Sequence, residues 1–261
     1  MLRNKVALVT GGSQGIGRCI AEKLGAAGAT LAIAALENEA LGKAGGAYEK
    51  LGFHFKTYGL DLSVESELNE LVKSVQKDLG PIDILINNAG IGGPTGPVHL
   101  VDPADWDRTL AINLRTPYLL ARAVTPSMIE RRGGKIVNMS SIAGKMAYPL
   151  RSPYAASKWG LVGLSATLAQ ELGQYNIQVN AVCPGPTRTE LIESVIRARA
   201  AATGVDFETM AQEYVRATAM KRMVAPEEVA DLVLFLSSPQ SDAITGQAID
   251  ISCGYGFRIG D

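Results

Sequence analysis

Cysteine and histidine are scarce in this chain of 261 residues, which has three cysteines and two histidines. Cys19, Cys183 and Cys253 lie far apart, which argues against a disulfide framework and suits a reducing compartment, so we expect a cytoplasmic protein. His54 and His99 have no CxxC or HExxH pattern near them. Zinc sites are commonly built from such patterns, and we therefore expect no metal site.

The chain also has no excess of charge of either sign. Lys and Arg together number 25 and Asp and Glu 26, which gives a formal net charge of −1. Without a basic stripe there is no electrostatic reason to expect nucleic acid or an anionic membrane as a partner. No apolar run approaches the length that spans a bilayer, and the opening MLRNKVALVTGG has no signal-peptide pattern, so we expect no membrane partner either.

Short apolar runs alternate with longer amphipathic patterns along the whole chain. KVALVT (5–10), ATLAIAAL (29–36) and IQVNAVCPG (177–185) are typical of buried strands. VESELNELVKSVQKDLG (64–80) is typical of an amphipathic helix. Regular alternation of the two predicts an α/β fold whose parallel sheet is covered on both faces.

The length predicts one domain over residues 1–261. We expect one long helix from about residue 103 to 131. Pro117 inside it has no N–H, so the carbonyl of Asn113 loses its helical partner, and we hypothesise that this carbonyl binds a water. A simple kink is the alternative. Residues 186–225 are the least regular, and we interpret them as a helical insertion or substrate lid.

A glycine-rich loop, TGGSQGIG, joins the first predicted strand to the first predicted helix. Glycines at 11, 15 and 17 allow a tight turn and a close approach of the backbone to a ligand, and the helix that follows favours a phosphate. A Walker loop would need Lys and then Ser or Thr where this chain has Arg18 and Cys19, which argues against an ATPase. A plain strand-to-helix turn without a ligand is the alternative.

The second predicted strand ends at Ala35 and Leu36, where dinucleotide-binding folds read the adenosine ribose. Neither residue is charged, and the glycine loop has Gln14 instead of a basic residue. Glu37 follows directly and could accept the ribose hydroxyls. A 2′-phosphate would meet no cation there, so we favour NAD(H) over NADP(H).

Tyr154 and Lys158 stand four residues apart in SPYAASKWG, a spacing that places both on one face of a helix. Free tyrosine is too weak a base at neutral pH, but a cation within about 4–6 Å lowers the pKa of a phenol. The pair therefore suits proton transfer. The alternative is a surface pair without a function.

Several short motifs follow one another in a fixed order: TGGSQGIG (10–17), DL (61–62), NNAG (87–90), Asn113, SS (140–141), YAASK (154–158) and PGPTRT (184–189). In order and spacing the chain resembles the short-chain dehydrogenase/reductase family over nearly its whole length. The resemblance implies a doubly wound Rossmann fold in three layers, with a mostly parallel seven-stranded sheet and helices on both faces. It also implies a nicotinamide cofactor, NAD or NADP, and a homotetramer.

The resemblance implies four catalytic residues: Tyr154 as acid/base, Lys158 as its partner, Ser141 as binder of the substrate oxygen, and Asn113. The implied cofactor contacts are Gly11, Ser13, Gln14, Gly15, Ile16, Gly17, Ala35, Leu36, Asp61, Leu62, Asn87, Asn88, Ala89, Gly90, Tyr154, Lys158, Pro184, Gly185, Thr187 and Thr189. The family position of an acidic ribose reader is Ala35, so this chain departs from the pattern there.

The substrate is the least defined part of this interpretation. We expect a secondary alcohol/ketone couple, with 3-oxoacyl thioesters and sugars or cyclic alcohols as the candidate classes within the family. Met146, Tyr148 and residues 186–225 could line an apolar pocket. Arg151 could meet an anionic substrate, although an exposed arginine is the more common case. A dinucleotide-binding sensor or scaffold without activity is the alternative from another class.

Overall fold

The computed structural model describes residues 1–256, and seven strands within this range form a single parallel sheet. The strands are β1 (Val6–Thr10), β2 (Thr30–Ala35), β3 (Phe55–Gly59), β4 (Ile82–Asn87), β5 (Gly134–Met139), β6 (Ile177–Pro184) and β7 (Ala248–Ile251). Their order across the sheet is β3-β2-β1-β4-β5-β6-β7, and every neighbouring pair is parallel. The predicted seven-stranded Rossmann sheet is confirmed.

The α-helices of the described residues connect these strands and cover both faces of the sheet. They are α1 (Gly15–Ala26), α2 (Glu39–Lys50), α3 (Glu65–Leu79), α4 (Pro103–Leu110), α5 (Thr116–Arg131), α6 (Ser152–Leu172), α7 (Glu190–Thr203), α8 (Phe207–Arg216) and α9 (Pro226–Leu236). Strands buried on both faces are typically continuous apolar runs, as in β1 (VALVT). β6 is also buried at every position, although it contains Gln178 and Asn180.

Two hydrophobic cores lie on opposite faces of the sheet. One joins β1, β2 and β4 to α1, α2 and α9 through side chains such as Ile20 and Val233. The other joins the opposite face to α3, α5 and α6 through side chains such as Leu68 and Leu120. A smaller cluster around Ile196 joins α7 to α8. The result is the three-layer arrangement that the motif order implied.

The stretch predicted as one helix over about 103–131 is divided by a π-helical turn at Ala111–Arg115. The predicted helix is present over this range, but its middle turn is π-helical and not α-helical. The hydroxyl of Thr116 donates to the carbonyls of Leu62 (2.6 Å) and Ala111 (3.1 Å), and Pro117 has no N–H to continue the regular ladder. The widened turn carries Asn113. No helix in residues 1–256 has both the length and the hydropathy to cross a membrane.

Tyr48 connects α2 to the glycine-rich loop. Its side chain is completely buried, its ring packs against Phe53 and Phe55, and its hydroxyl donates to the Gly12 carbonyl at 2.5 Å. A buried carbonyl that loses its donor remains unsatisfied. The shape of the loop therefore depends on a residue 36 positions further along the chain.

We predict that Tyr48→Phe lowers the free energy of unfolding by about 1–2 kcal/mol, because the Gly12 carbonyl then has no donor. Urea unfolding followed by circular dichroism measures this change. Tyr175→Phe is the matched control, since the Tyr175 hydroxyl makes no hydrogen bond within residues 1–256. Equal stability of the two variants would contradict the assigned contact.

Candidate active site

The candidate site lies at the carboxyl ends of the central strands, where the ends of β1 and β4 are joined by hydrogen bonds. The Thr10 hydroxyl donates to the Ile86 carbonyl and accepts from the backbone N–H groups of Asn88 and Ala89, both at 3.0 Å. The Asn88 amide donates to the Thr10 carbonyl at 2.9 Å. The strand order reverses between β1 and β4, and open α/β sheets bind ligands in the crevice at such a point.

The glycine-rich loop forms an open cradle at this crevice. Gln14 and Gly15 are exposed, and no side chain caps the N-terminus of α1, so N–H groups of its first turn are free for an anion. Gly15 has a φ of 53°, in the left-handed region that glycine favours. A Cβ at Gly17 would overlap the Gly11 carbonyl and the Asn88 amide. These features fit the pyrophosphate of a dinucleotide. Ser13 and Ile16, also predicted contacts, are half-buried in the same loop.

The two asparagines of the NNAG motif have different surroundings. Asn88 faces the glycine loop, while Asn87 is buried and its amide donates to Asn138 at 2.8 Å. Asn138 in turn donates to Ser165 on α6 at 2.9 Å. The side chain of Asn87 thus ties β4 and β5 to α6 from inside the fold. Ala89 and Gly90 continue from Asn88 along the crevice.

The ends of β2 and β3 form the neighbouring part of the crevice. Ala35 is buried, whereas Leu36 is 58% exposed and Glu37 is exposed beside it. The Glu37 carboxylate lies over Gly59, where a Cβ would overlap it, so the glycine gives this carboxylate its place at the edge of the crevice.

Asp61 and Leu62 follow β3. The Asp61 carboxylate accepts hydrogen bonds from the backbone N–H and hydroxyl of Ser63, which lowers its pKa. The side chain of Leu62 is buried, and its carbonyl accepts from Thr116. Asp61 is therefore held as an exposed carboxylate in a fixed turn, and Leu62 anchors that turn.

The segment after β6 forms the far wall. Gly185 donates its N–H to the Ile251 carbonyl at 2.9 Å, and Pro184 ends β6. Thr187 is buried, and Thr189 caps the N-terminus of α7 by accepting from Ile192. A Cβ added at Gly15 would lie 3.6 Å from the Thr189 methyl group. The start of α7 therefore lies close to the glycine-rich loop.

Asn113 lies in the π-helical turn with 1% of its surface exposed. Its side-chain oxygen accepts from the Ile91 N–H at 2.8 Å, and its amide donates to the Ile91 carbonyl at 2.9 Å and to Ser157 at 3.2 Å. The side chain thus fixes the backbone after the NNAG motif and links it to α6.

Lys158 is 5% exposed, and its ammonium donates to the Met139 carbonyl at 2.8 Å. The ammonium lies 5.6 Å from the centre of the Tyr154 ring. Burial lowers the pKa of Lys158 to about 8. At neutral pH the lysine is therefore still mainly charged, and it loses its proton as the pH rises past about 8.

Tyr154 is half-buried on the same helix, four residues before Lys158. Burial raises the pKa of Tyr154, and the Ser141 hydroxyl and the charge of Arg151 act against this rise. The Ser141 oxygen accepts from the Ala143 N–H at 3.1 Å, which leaves its own O–H free to donate. The structure therefore brings Asn113, Ser141, Tyr154 and Lys158 together at one end of α6.

Arg151 is buried beside this group, with 2% of its surface exposed, so the expectation of an exposed arginine is wrong. Sequence reasoning also did not find the roles of Tyr48, Thr10 and Asn138. Their contacts join residues dozens of positions apart, and no local pattern in the chain marks them. Among the described residues, no group of three His, Cys, Asp or Glu is arranged to hold a metal ion.

Known proteins share both this sequence and this fold. The family model described as short chain dehydrogenase matches residues 5–200. A D-beta-hydroxybutyrate dehydrogenase of Cupriavidus necator is 34% identical over 256 residues, which cover 98% of this chain and 99% of that protein.

Solved structures of similar proteins superpose over almost the whole chain. An NAD+-bound xylitol dehydrogenase is 33% identical with a TM-score of 0.92, covering 96% of this chain and 98% of the other. A variant of the actinorhodin polyketide ketoreductase with NADPH is 33% identical with a TM-score of 0.94, covering 99% of this chain and all of the other.

The burial of Lys158 predicts that the wild type and a variant without this charge differ in stability, and that the difference depends on pH. The unfolded lysine has a pKa near 10.5 and the folded one about 8, so between these values the unfolded state holds more protons and native stability rises with pH. We predict that Lys158→Met stabilises the protein by about 1–3 kcal/mol at pH 7, and that this gain shrinks towards pH 10.

Urea unfolding at pH 7 and pH 10 measures this difference. Lys73→Met is the control, because Lys73 is 70% exposed and its replacement removes no buried charge. Two results would show that burying the Lys158 charge does not destabilise the protein. One is a Lys158→Met variant less stable than the wild type at pH 7, and the other is a gain in stability that does not change with pH.

Proposed function

The chain belongs to the short-chain dehydrogenase/reductase family, and on this basis we propose that Tyr154 is the acid/base of its reaction. The protein is an NAD(P)-dependent oxidoreductase that interconverts an alcohol and a carbonyl group. The observation that carries the proposal is that the Lys158 ammonium lies 5.6 Å from the Tyr154 ring centre, with the Ser141 hydroxyl near enough to lower the pKa of the phenol.

The cradle described above fits a dinucleotide: Gly15 and Gly17 would hold the pyrophosphate, and Thr187 and Thr189 would hold the nicotinamide end. The bound nicotinamide supplies the hydride acceptor or donor. This chain supplies the proton chemistry: in alcohol oxidation the Tyr154 phenolate accepts the hydroxyl proton, and in carbonyl reduction the phenol returns it.

Ser141 and Lys158 support this proton transfer in different ways. The Ser141 hydroxyl, whose oxygen already accepts from Ala143, donates to the substrate oxygen as negative charge develops there. The Lys158 ammonium stabilises the phenolate electrostatically. Asn113 holds the Ile91 backbone, and its own carbonyl stands in the π-helical turn, where we retain the proposal of a bound water in a path from Lys158 to solvent.

We predict that Tyr154→Phe lowers kcat by at least about a hundredfold, because the proton then has no acceptor, while the affinity for the dinucleotide stays within about threefold. Absorbance at 340 nm with a panel of secondary alcohols and ketones measures turnover, and quenching of tryptophan fluorescence measures binding. Tyr175→Phe is the matched control, since the Tyr175 hydroxyl makes no hydrogen bond within residues 1–256. Full activity of Tyr154→Phe would overturn the assignment, and binding without any wild-type turnover would favour a sensor.

We propose NAD(H) as the preferred cofactor, and Glu37 is the reason. Its carboxylate lies over Gly59 at the ends of β2 and β3, where it can accept ribose hydroxyls and repel a 2′-phosphate. Positions 14, 35 and 36 are occupied by Gln14, Ala35 and Leu36, and none of these side chains carries the positive charge that would attract that phosphate.

We expect kcat/KM for NAD to exceed that for NADP by at least about tenfold, and Glu37→Ala to reduce this ratio by about tenfold, because the repulsion of the phosphate is lost. Initial rates with both cofactors measure the ratio. Glu39→Ala is the control, since that carboxylate is 81% exposed and pairs with Lys43. A wild-type preference for NADP, or a ratio that Glu37→Ala does not change, would refute the role of Glu37.

We propose that the protein forms a homotetramer and that α5 and α6 contribute to its interfaces. Tyr118 and Trp159 are 46% and 51% exposed on these helices. Beside Tyr118 lies a groove of about 450 Å³, lined mainly by Leu110, Ala111, Leu114 and Leu164. An exposed apolar patch of this kind is typical of a protein–protein contact. The apolar, glycine-rich tail ITGQAIDISCGYGF (244–257) is a second candidate for an interface, and its last residue, Phe257, lies outside the described residues.

Three further proposals concern the chain as a whole. We propose one domain over 1–261, with residues 186–225 as a lid over the substrate; α7 and α8 support this, because they pack mainly on one another around Ile196 and Tyr214.

We propose that the substrate is a small-molecule alcohol or ketone. We also propose a cytoplasmic location, which the free thiols of Cys19, Cys183 and Cys253 support.

A further inference from the structure

Arg151 occupies the turn immediately before α6, three residues from Tyr154. The backbone fixes this turn: Leu150 has a φ of 66°, unusual for a residue with a side chain, and its carbonyl accepts from the Gly96 N–H at 2.8 Å. The Arg151 carbonyl accepts from Ala155 in the first turn of the helix. The arginine is therefore held beside Tyr154 by a strained and well-bonded segment.

The guanidinium of Arg151 is buried without a compensating charge. One terminal nitrogen donates to the Gly92 carbonyl at 2.6 Å, and Nε is buried with no hydrogen-bond partner. No carboxylate among residues 1–256 lies within ion-pair distance of it. The hydroxyl of Ser152, the next residue, is buried and unpartnered as well. Buried charges are normally paired, so within residues 1–256 this arginine has no anionic partner.

The anion that Arg151 lacks would lie close to the reacting atoms. The central carbon of the guanidinium is 5.1 Å from the centre of the Tyr154 ring, whose hydroxyl is the proposed proton donor and acceptor. If one substrate molecule pairs with this guanidinium and also reacts at the Tyr154 hydroxyl, its anionic group and its reacting carbon are only a few bonds apart.

The surroundings of Arg151 favour recognition of an anion. A Cβ built at Gly92 would contact the guanidinium at 3.0 Å and Val195 of α7 at 3.6 Å, so an apolar lid residue borders the same space. A second cation, Arg199 of α7, lies about 6 Å from the rings of Tyr148 and Tyr214. It pairs with no carboxylate in the described part of the chain. A low local dielectric strengthens a charge-assisted pair.

We propose that Arg151 is a specificity-determining residue that binds the carboxylate of the substrate, so that the substrate is a short hydroxy acid or the corresponding oxo acid. The planar guanidinium matches a carboxylate with two parallel hydrogen bonds, and Nε is the nitrogen left free for one of them. This inference rests on the proposed function of Tyr154, because it places the acid group relative to that phenol.

The test compares acids with their own uncharged esters. Reduction of pyruvate, acetoacetate and levulinate is followed by NADH oxidation at 340 nm beside their methyl esters. We expect the wild type to favour at least one acid over its ester by at least about tenfold in kcat/KM, and Arg151→Met to lower this ratio by about tenfold or more. Arg151→Lys is expected to retain part of the preference. A general loss of activity lowers both rates and leaves the ratio unchanged.

A second measurement does not require turnover. Titration of the NADH-loaded enzyme with the same acids, followed by the fluorescence of bound NADH, is expected to show binding that Arg151→Met weakens about tenfold. Arg197→Met, on the exposed side of α7, is the matched control. An acid/ester ratio or an acid affinity that Arg151→Met leaves unchanged overturns the proposal. Absence of turnover with every acid and ester contradicts the proposed function, and the binding titration then decides on Arg151 alone.

Discussion

The hydrogen bonds that join the ends of β1 and β4 are the constraint on which the rest of the site depends. The Thr10 hydroxyl holds the backbone of Asn88 and Ala89, and the Asn88 amide returns to the carbonyls of Thr10 and Gly11. With those atoms in place, no carbon beyond Cα fits at Gly17, and the glycine cradle stands open towards the crevice. Asn113 then clamps the backbone that leaves the same strand end and connects it to α6. One small polar cluster thereby fixes both the glycine-rich loop and the helix that carries Tyr154.

Two cations are buried around one phenol, and this arrangement has an energetic cost. Lys158 has only the Met139 carbonyl and Arg151 only the Gly92 carbonyl as a hydrogen-bond acceptor among the described residues. Neither carbonyl carries a full charge, so neither repays the loss of hydration. The large cores on both faces of the sheet supply the stability that the site gives up. The proposed roles of Lys158 and Arg151 therefore depend on buried positive charges that no carboxylate among residues 1–256 neutralises.

The regular part of the fold could be predicted from local pattern, because strands buried on both faces and amphipathic helices have characteristic periods. The family resemblance grouped Asn113, Ser141, Tyr154 and Lys158 as one catalytic set, although local pattern alone left two interpretations of the tyrosine–lysine pair, a site or a surface contact. The interruption at Ala111–Arg115 escaped prediction, since it needs the Leu62 carbonyl, far away in sequence, as a partner for Thr116. The burial of Arg151 escaped it as well, since only tertiary packing brings Gly92 over that side chain.

Thr189 caps α7 and lies near Gly15, so one residue belongs both to the segment that we propose as a lid and to the surroundings of the glycine-rich loop. A displacement of the first turn of α7 would loosen both compartments at once. If residues 186–225 cover the substrate as we propose, fraying of this single turn would set the residence time of both ligands, and a molecule bound on one side would slow escape from the other.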